Sequence, residues 1–196
     1  MIGLIDYASG NITSVSNALA AIGVEFIVSN RSAELETCSG IILPGVGAAP
    51  KAMESIENNN LAEFLRSCRV PLLGICLGME LLYERSEEGN TPCLGLLSGR
   101  VKKFNSETQK IPHMGWNNVH CLGENSLVDE IGNVGYFYFA HSYYVSPDSY
   151  TTAISEAGIS FASMVQEWNY YGVQFHPEKS GEAGLRLLKK FCGLCK

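Results

Sequence analysis

Four short apolar runs do most to limit what this chain can fold into: IGLID from Ile2, VEFIVS from Val24, GIILPG from Gly40 and PLLGI from Pro71. Helical spacing fills the gaps between them, so strand and helix alternate through the first half, as in a parallel sheet with crossover helices. In GNITSVSNALAAIG, Val15, Ala18, Leu19 and Ile22 share one face at i, i+3, i+4 and i+7; Asn11 stands where a cap is needed and Gly23 where the helix should stop. KAMESIENNNLAEFLRSC reads as one helix, or as two about the cluster Asn58 to Asn60. LGMELLYERSEEG reads as the helix after the fourth strand.

The second half turns to aromatic and β-branched runs: GRVKKF, YFYFAHSYYV, YTTAISE, FASMVQEW and YGVQFHP, with Asn169 and Tyr170 as a turn between the last two. A closing helix spans 181–194, with Leu185, Leu188 and Cys192 along one face. Neither an internal repeat nor a long linker divides the 196 residues. The expected fold is therefore α/β: one domain over 1–196, with a mostly parallel, flavodoxin-like central sheet, flanking helices and an antiparallel extension.

Composition narrows function. A net charge of -6 without a Lys/Arg cluster argues against a nucleic-acid surface. No apolar run approaches the length of a membrane span, and the start lacks the basic region of a signal peptide. Seven scattered cysteines do not suggest a disulfide framework and fit a reducing cytoplasm. Cys192 and Cys195 form a C-x-x-C with no second pair to complete a metal site, so apolar packing is the simpler reading. No metal or cofactor is expected.

One cysteine stands apart. In PLLGICLGMELL, Cys76 lies between Gly74 and Gly78 where strand gives way to helix, a spacing that resembles the tight elbow of G-x-S-x-G hydrolases with sulfur in place of the hydroxyl. Small neighbours are required, because a Cβ at either glycine would collide with the crossing strand and helix. The helix N-terminus should favour thiolate over thiol, and the Leu77 N–H would face a developing oxyanion.

A nucleophile needs a base and a group to orient it. Of the four histidines, only His176 has a setting built for this, in GVQFHPEKSG after an apolar strand. In an extended segment His176 and Glu178 leave the same side of the backbone, and Pro177 fixes the link between them. Glu178 would accept from one ring nitrogen while the other faces Cys76. A third strand end, ILPGVGAAP, offers backbone N–H groups at Val46 or Gly47 as a second oxyanion donor.

Taken together, LPGVG, GICLGME and GVQFHPEKSG resemble the class I (triad) glutamine amidotransferases, in order and across most of the chain. The resemblance implies attack on the side-chain amide of glutamine, release of ammonia and hydrolysis of a γ-glutamyl thioester. Cys76 becomes the nucleophile, His176 the base and acid, and Glu178 its orienter. KIPHMGWN, YFYFAHSYY and DYASGN are similar to the glutaminase subunits that serve imidazole glycerol phosphate synthase. By that likeness Pro112, His113, Met114, Gly115, Trp116 and Asn117 would lie at the ammonia exit, while His141, Ser142 and Tyr143 border the glutamine pocket. The implied partner is a (β/α)8-barrel cyclase, held as a heterodimer, that makes imidazole glycerol phosphate and aminoimidazole carboxamide ribotide. Two alternatives are a paralogue feeding a sugar-modifying synthetase and a catalytically impaired binding module of the same fold.

One residue departs from the family pattern G-x-C-x-G-x-Q: Glu80 replaces the glutamine that contacts substrate. One helical turn after Cys76, its carboxylate would oppose a thiolate and favour protonated His176, or pair with the substrate's ammonium group.

Overall fold

Strand alternation builds the centre of this computed structural model, which describes residues 1–7, 11–107, 110–123, 125–128 and 132–195, with backbone alone for 132–134. Residues 8–10, the middle of DYASGN, lie outside the described residues. The elements are β1 Ile2–Ile5, α1 Ile12–Ala21, β2 Phe26–Ser29, α2 Ser32–Leu35, β3 Gly40–Leu43, α3 Ala49–Asn58, α4 Leu61–Ser67, β4 Leu72–Ile75 and α5 Leu77–Glu80. There follow β5 Tyr83–Ser86, β6 Thr91–Pro92, β7 Leu97–Lys103, β8 His113–Cys121, β9 Gly132–His141, β10 Tyr143–Val145, β11 Thr151–Ala157, β12 Ile159–Glu167, β13 Tyr170–Val173 and α6 Gly181–Leu194.

Among the described residues, nine strands form one sheet in the order β2-β1-β3-β4-β13-β12-β11-β8-β9. The five from β2 to β13 are parallel and the remaining four run antiparallel. A smaller sheet, β10-β7-β5-β6, stands beside it. Successive side chains leave opposite faces of a strand. Ile41, Leu43 and Leu72 accordingly join the core under α3 and α4, with Met53, Ile56, Leu61 and Leu65. Ile42, Leu73 and Ile75 join the core under α1 and α6, with Val15, Leu19, Leu187, Leu188 and Phe191. Burial on both faces explains why the parallel strands read as continuous apolar runs.

The helix expected after Cys76 is the main departure. It ends at Glu80 after one turn, and the chain enters β5 three residues later. The carbonyls of Leu81 and Leu82, which would continue the helical ladder, accept instead from the N–H groups of Leu94, Leu96 and Leu97. Leu81, Leu82 and Tyr83 are all fully buried, a run that a one-sided helix could not satisfy.

Elsewhere the Asn cluster does divide the 51–68 stretch, with Asn60 in the left-handed region at φ 55° between α3 and α4. The turn expected at Asn169 and Tyr170 falls one residue earlier, at Trp168 and Asn169, because the Asn169 side chain donates to the Cys68 and Val70 carbonyls. β8, unforeseen as a strand, alternates half-buried and exposed residues from His113 to Asn118.

Candidate active site

Three parallel strands deliver the site at their carboxyl ends. β3 runs into the Pro44–Gly47 turn, β4 into Cys76, and β13 into Gln174 and His176. Ligands in open α/β sheets collect at such ends.

The elbow is built as its glycines suggested. Cys76 has φ 53° and ψ -110°, an unfavourable conformation for a residue with a side chain. Its N–H is fixed by the Val173 carbonyl at 2.7 Å. A Cβ on Gly78 would stand 1.9 Å from the Leu43 carbonyl oxygen, and one on Gly74 2.6 Å from the Gly78 carbonyl oxygen. Only bare backbone lets α5 cross this close to β3 and β4. Gly45 is wedged in the same way, against the Tyr7 hydroxyl, the Gly78 nitrogen and Leu77, and that hydroxyl donates to the Pro44 carbonyl. The turn carrying Val46 and Gly47 is thereby held against the elbow.

His176 is placed through backbone and side chain together. β13 pairs with β4 in the register Val173 with Ile75, which sets Gln174 level with Cys76 and His176 two residues further on; no hydrogen bond joins His176 Nε2 to Cys76 Sγ among the described residues. The His176 N–H donates to the Tyr138 carbonyl at 2.8 Å, Ser180 Oγ donates to the His176 carbonyl at 2.6 Å, and the Tyr138 N–H donates to Ser180 Oγ at 3.0 Å. Pro177–Lys179 coils into a 3₁₀ turn rather than continuing extended, and it is this turn that swings Glu178 back under the imidazole. Gly184 lets α6 approach it; a Cβ there would meet the Pro177 carbonyl oxygen at 1.8 Å.

His176 Nδ1 lies 2.8 Å from Glu178 Oε1, both side chains fully enclosed. A carboxylate only accepts, so Nδ1 carries a proton. The ring's Nε2 atom is buried without a hydrogen-bond partner among the described residues. Asn11 Nδ2 donates to the same Glu178 oxygen at 2.5 Å. Sequence reading gave Asn11 a capping role, but its side chain makes no cap hydrogen bond and orients the acid instead.

Gln174 also went unnoticed, although its place two residues before His176 puts both on one side of the strand. Gln174 Nε2 lies 3.0 Å from Glu80 Oε1 and 3.8 Å from Cys76 Sγ. A polar residue inside the otherwise apolar run YGVQF was the available signal.

The electrostatics around Cys76 run against the thiolate expected from the helix N-terminus. Burial pushes the Cys76 thiol well up, the Glu80 carboxylate pushes it further, and Glu178 adds to this; the Leu77 N–H and the Gln174 amide oppose them. A one-turn helix has little dipole to set against burial. Burial raises Glu80 too, to about 8, with Glu88 adding and the Gln174 hydrogen bond opposing.

Val46, Gly47, Cys76, Leu77, Glu80, Pro112, Met114, His141, Ser142 and Tyr143 line one cavity of about 190 Å³, joined by Glu88. His113 and Asn117 lie behind its wall on the inner side of β8, where His113 contacts His141. Met114 and Trp116 point outward and are 62% and 57% exposed.

A strained cysteine elbow, a buried histidine–carboxylate pair and the glycine turn at Pro44–Gly47 are the parts a cysteine hydrolase needs, and the model of the class-I glutamine amidotransferases matches residues 3–193. The chain belongs to that family. It is 47% identical to the imidazole glycerol phosphate synthase subunit HisH of Bacillus cytotoxicus, covering 100% of this chain and 96% of that protein. It is 44% identical to subunit HisH 2 of Legionella pneumophila strain Paris, over 99% and 98% of the two. Among solved structures, PurLQS from Thermotoga maritima superimposes with a TM-score of 0.74 at 20% identity, covering 100% and 98%, a likeness of fold.

Proposed function

We propose that this chain is the glutaminase subunit of an imidazole glycerol phosphate synthase and that Cys76, His176 and Glu178 carry its chemistry. The 2.8 Å bond between His176 Nδ1 and Glu178 Oε1, beside the elbow, is the observation that supports this reading most directly. His176 Nε2 takes the thiol proton as sulfur attacks the side-chain amide carbon of glutamine. The imidazolium that forms is stabilised by Glu178, itself held by Asn11. The oxyanion is received by the Leu77 N–H, already directed at the sulfur, and by an N–H of Val46 or Gly47 across the cavity. His176 returns its proton to the departing nitrogen, ammonia leaves, and water activated by the same imidazole cleaves the thioester to glutamate.

His141, Ser142 and Tyr143 form the wall against which glutamine lies, and Glu80 faces it from α5. Ammonia leaves by way of Pro112 and Met114: both line the cavity, and Met114 also reaches the outer surface. The exposed face of β8 and β9, with Met114, Trp116 and Tyr136, receives a (β/α)8-barrel cyclase as a heterodimer. The whole chain acts as one unit, in a reducing cytoplasm suited to its seven free thiols. No helix among the described residues is long and apolar enough to cross a membrane.

Glutamate release from glutamine, with and without the cyclase and its phosphorylated ligand, tests the reading. Release that depends on the cyclase and disappears in Cys76→Ser supports it. Binding of a sugar-modifying synthetase in place of the cyclase would overturn the choice of acceptor. Absence of a covalent adduct with a glutamine-like electrophile, even in the complex, would overturn the chemistry.

A further inference from the structure

Two histidines outside the triad form a chain of hydrogen bonds whose direction is fixed. His141 Nδ1 lies 2.7 Å from the Tyr143 carbonyl oxygen, which can only accept, so that nitrogen carries the proton. His141 Nε2 must then accept, and the group 2.9 Å away is His113 Nδ1, which therefore donates. His113 Nε2 is left to accept from Asn117 Nδ2 at 3.2 Å. Asn117 donates also to the Glu156 carbonyl at 2.7 Å, which fixes the amide orientation. Both imidazoles are neutral by this pattern, and both are Nδ1–H tautomers. Phe104, Phe139 and Phe161 enclose the pair, and burial lowers both rings' affinity for protons, His141 to about 3. His176 is the other titratable group acting on His141, and its charge would lower that affinity further.

The chain connects two places. At one end is the cavity wall of His141, Ser142 and Tyr143. At the other is β8, whose inner side carries His113 and Asn117 and whose outer side carries Met114 and Trp116. The two sets alternate along one backbone, which is the covalent link between the outer and inner sides.

We propose that His113 is a positioning residue of the glutamine pocket, holding the Ser142–Tyr143 wall through His141 and coupling that wall to whatever docks on the outer side of β8. This rests on the glutaminase reading for the identity of the pocket's occupant.

The test uses a chloroketone analogue of glutamine, which reports pocket binding through KI and sulfur reactivity through kinact, without turnover. In the complex, His113→Leu raises KI about tenfold, the loss of one buried hydrogen bond, and leaves kinact within about twofold. His113→Asn places a donor near the position of Nδ1 and restores KI to within about threefold of wild type. Nitrogen NMR of the full chain at neutral pH shows both rings as Nδ1–H tautomers. In wild type the cyclase lowers KI, and in His113→Leu that response is lost. An unchanged KI in His113→Leu, no recovery in His113→Asn, or an Nε2–H tautomer on His113 overturns the positioning role. A full response to the cyclase in His113→Leu overturns the coupling. Labelling of Cys76 without glutamate release in wild type would instead refute the glutaminase function and leave the KI comparison intact.

Discussion

Replacing Glu80 by glutamine should stabilise the protein, and by an amount that grows with pH. The side chain is only 4% exposed, and its hydrogen-bond donor is Gln174. The groups around it are Cys76, Cys93, Tyr143 and Glu88, none of them a cation. Its proton affinity in the fold is raised from 4.5 to about 8. The folded state therefore holds a proton that the unfolded chain releases at lower pH. A raised carboxyl contributes stability that is fully present below the unfolded value and is lost as pH rises through the folded one. At pH 7 the loss amounts to about 3 kcal/mol, from about two and a half pH units between 4.5 and 7. Glutamine has the same shape, keeps an acceptor for Gln174 and has no proton to lose.

Urea denaturation of wild type and Glu80→Gln from pH 4.5 to 8 measures this. The curves should nearly coincide at pH 4.5 and separate by about 3 kcal/mol at pH 7. Parallel curves across that range would refute the claim that Glu80 is buried as the neutral acid. Catalysis should follow the same proton. Near pH 7 Glu80 is mostly neutral and opposes the sulfur weakly; at pH 9 it is mostly ionised. The advantage of Glu80→Gln in kcat/KM for glutamine, measured in the complex, should grow from less than about twofold at pH 7 toward tenfold at pH 9.

Asn11→Ala removes the charge-assisted hydrogen bond to Glu178; kcat for glutamate release should fall about tenfold to a hundredfold while the electrophile still labels Cys76. Gly78→Ala puts a Cβ 1.9 Å from a backbone oxygen, and should either prevent folding or lower the urea-derived stability by more than about 3 kcal/mol. Gly47→Ala meets no atom within 4 Å but has φ 110°, so its stability loss should be smaller, about 1 to 3 kcal/mol, with the oxyanion step slowed. Ser180→Ala leaves the Tyr138 N–H and the His176 carbonyl without their shared hydroxyl, which should lower stability by about 1 to 3 kcal/mol and slow kcat more than it changes KM.

What could be read from the chain alone followed from local rules. Glycines flanking Cys76 announced a backbone that no Cβ could follow, and the structure places carbonyl oxygens where those Cβ atoms would be. The parallel half was legible because each buried strand is a short apolar run ending at a turn. What resisted reading depended on partners distant in sequence. Nothing local tells Leu81 that its carbonyl will meet the Leu94 N–H and end a helix. Asn11 looked like a cap because caps are local, yet its acceptor lies 167 residues away. The alternation in HMGWNN is clear once one side is known to face His141; without that face the glycine and the two asparagines argue against a strand.

The electrostatics assign the work differently from the elbow's appearance. An elbow at a helix N-terminus suggests a sulfur already ionised and waiting. Here burial and Glu178 oppose that charge, Glu80 joins them as it ionises above neutral pH, and the Leu77 N–H and the Gln174 amide favour it. In the proposed mechanism the cation that pairs with a Cys76 thiolate is the imidazolium made by the same proton transfer, from sulfur to the unpartnered Nε2 of His176. Glu178 both opposes the thiolate and supports the imidazolium, so it favours charge separation only when the proton has moved onto His176. These influences favour a protonated Cys76 in the resting cavity, and under the proposed mechanism reactivity appears when an amide in the pocket draws the oxyanion toward Leu77. If glutamine lies against His141, Ser142 and Tyr143 as proposed, its placement there becomes the condition for chemistry. On that reading wall and nucleophile work together, and a residue that moves the wall would govern a sulfur it does not touch.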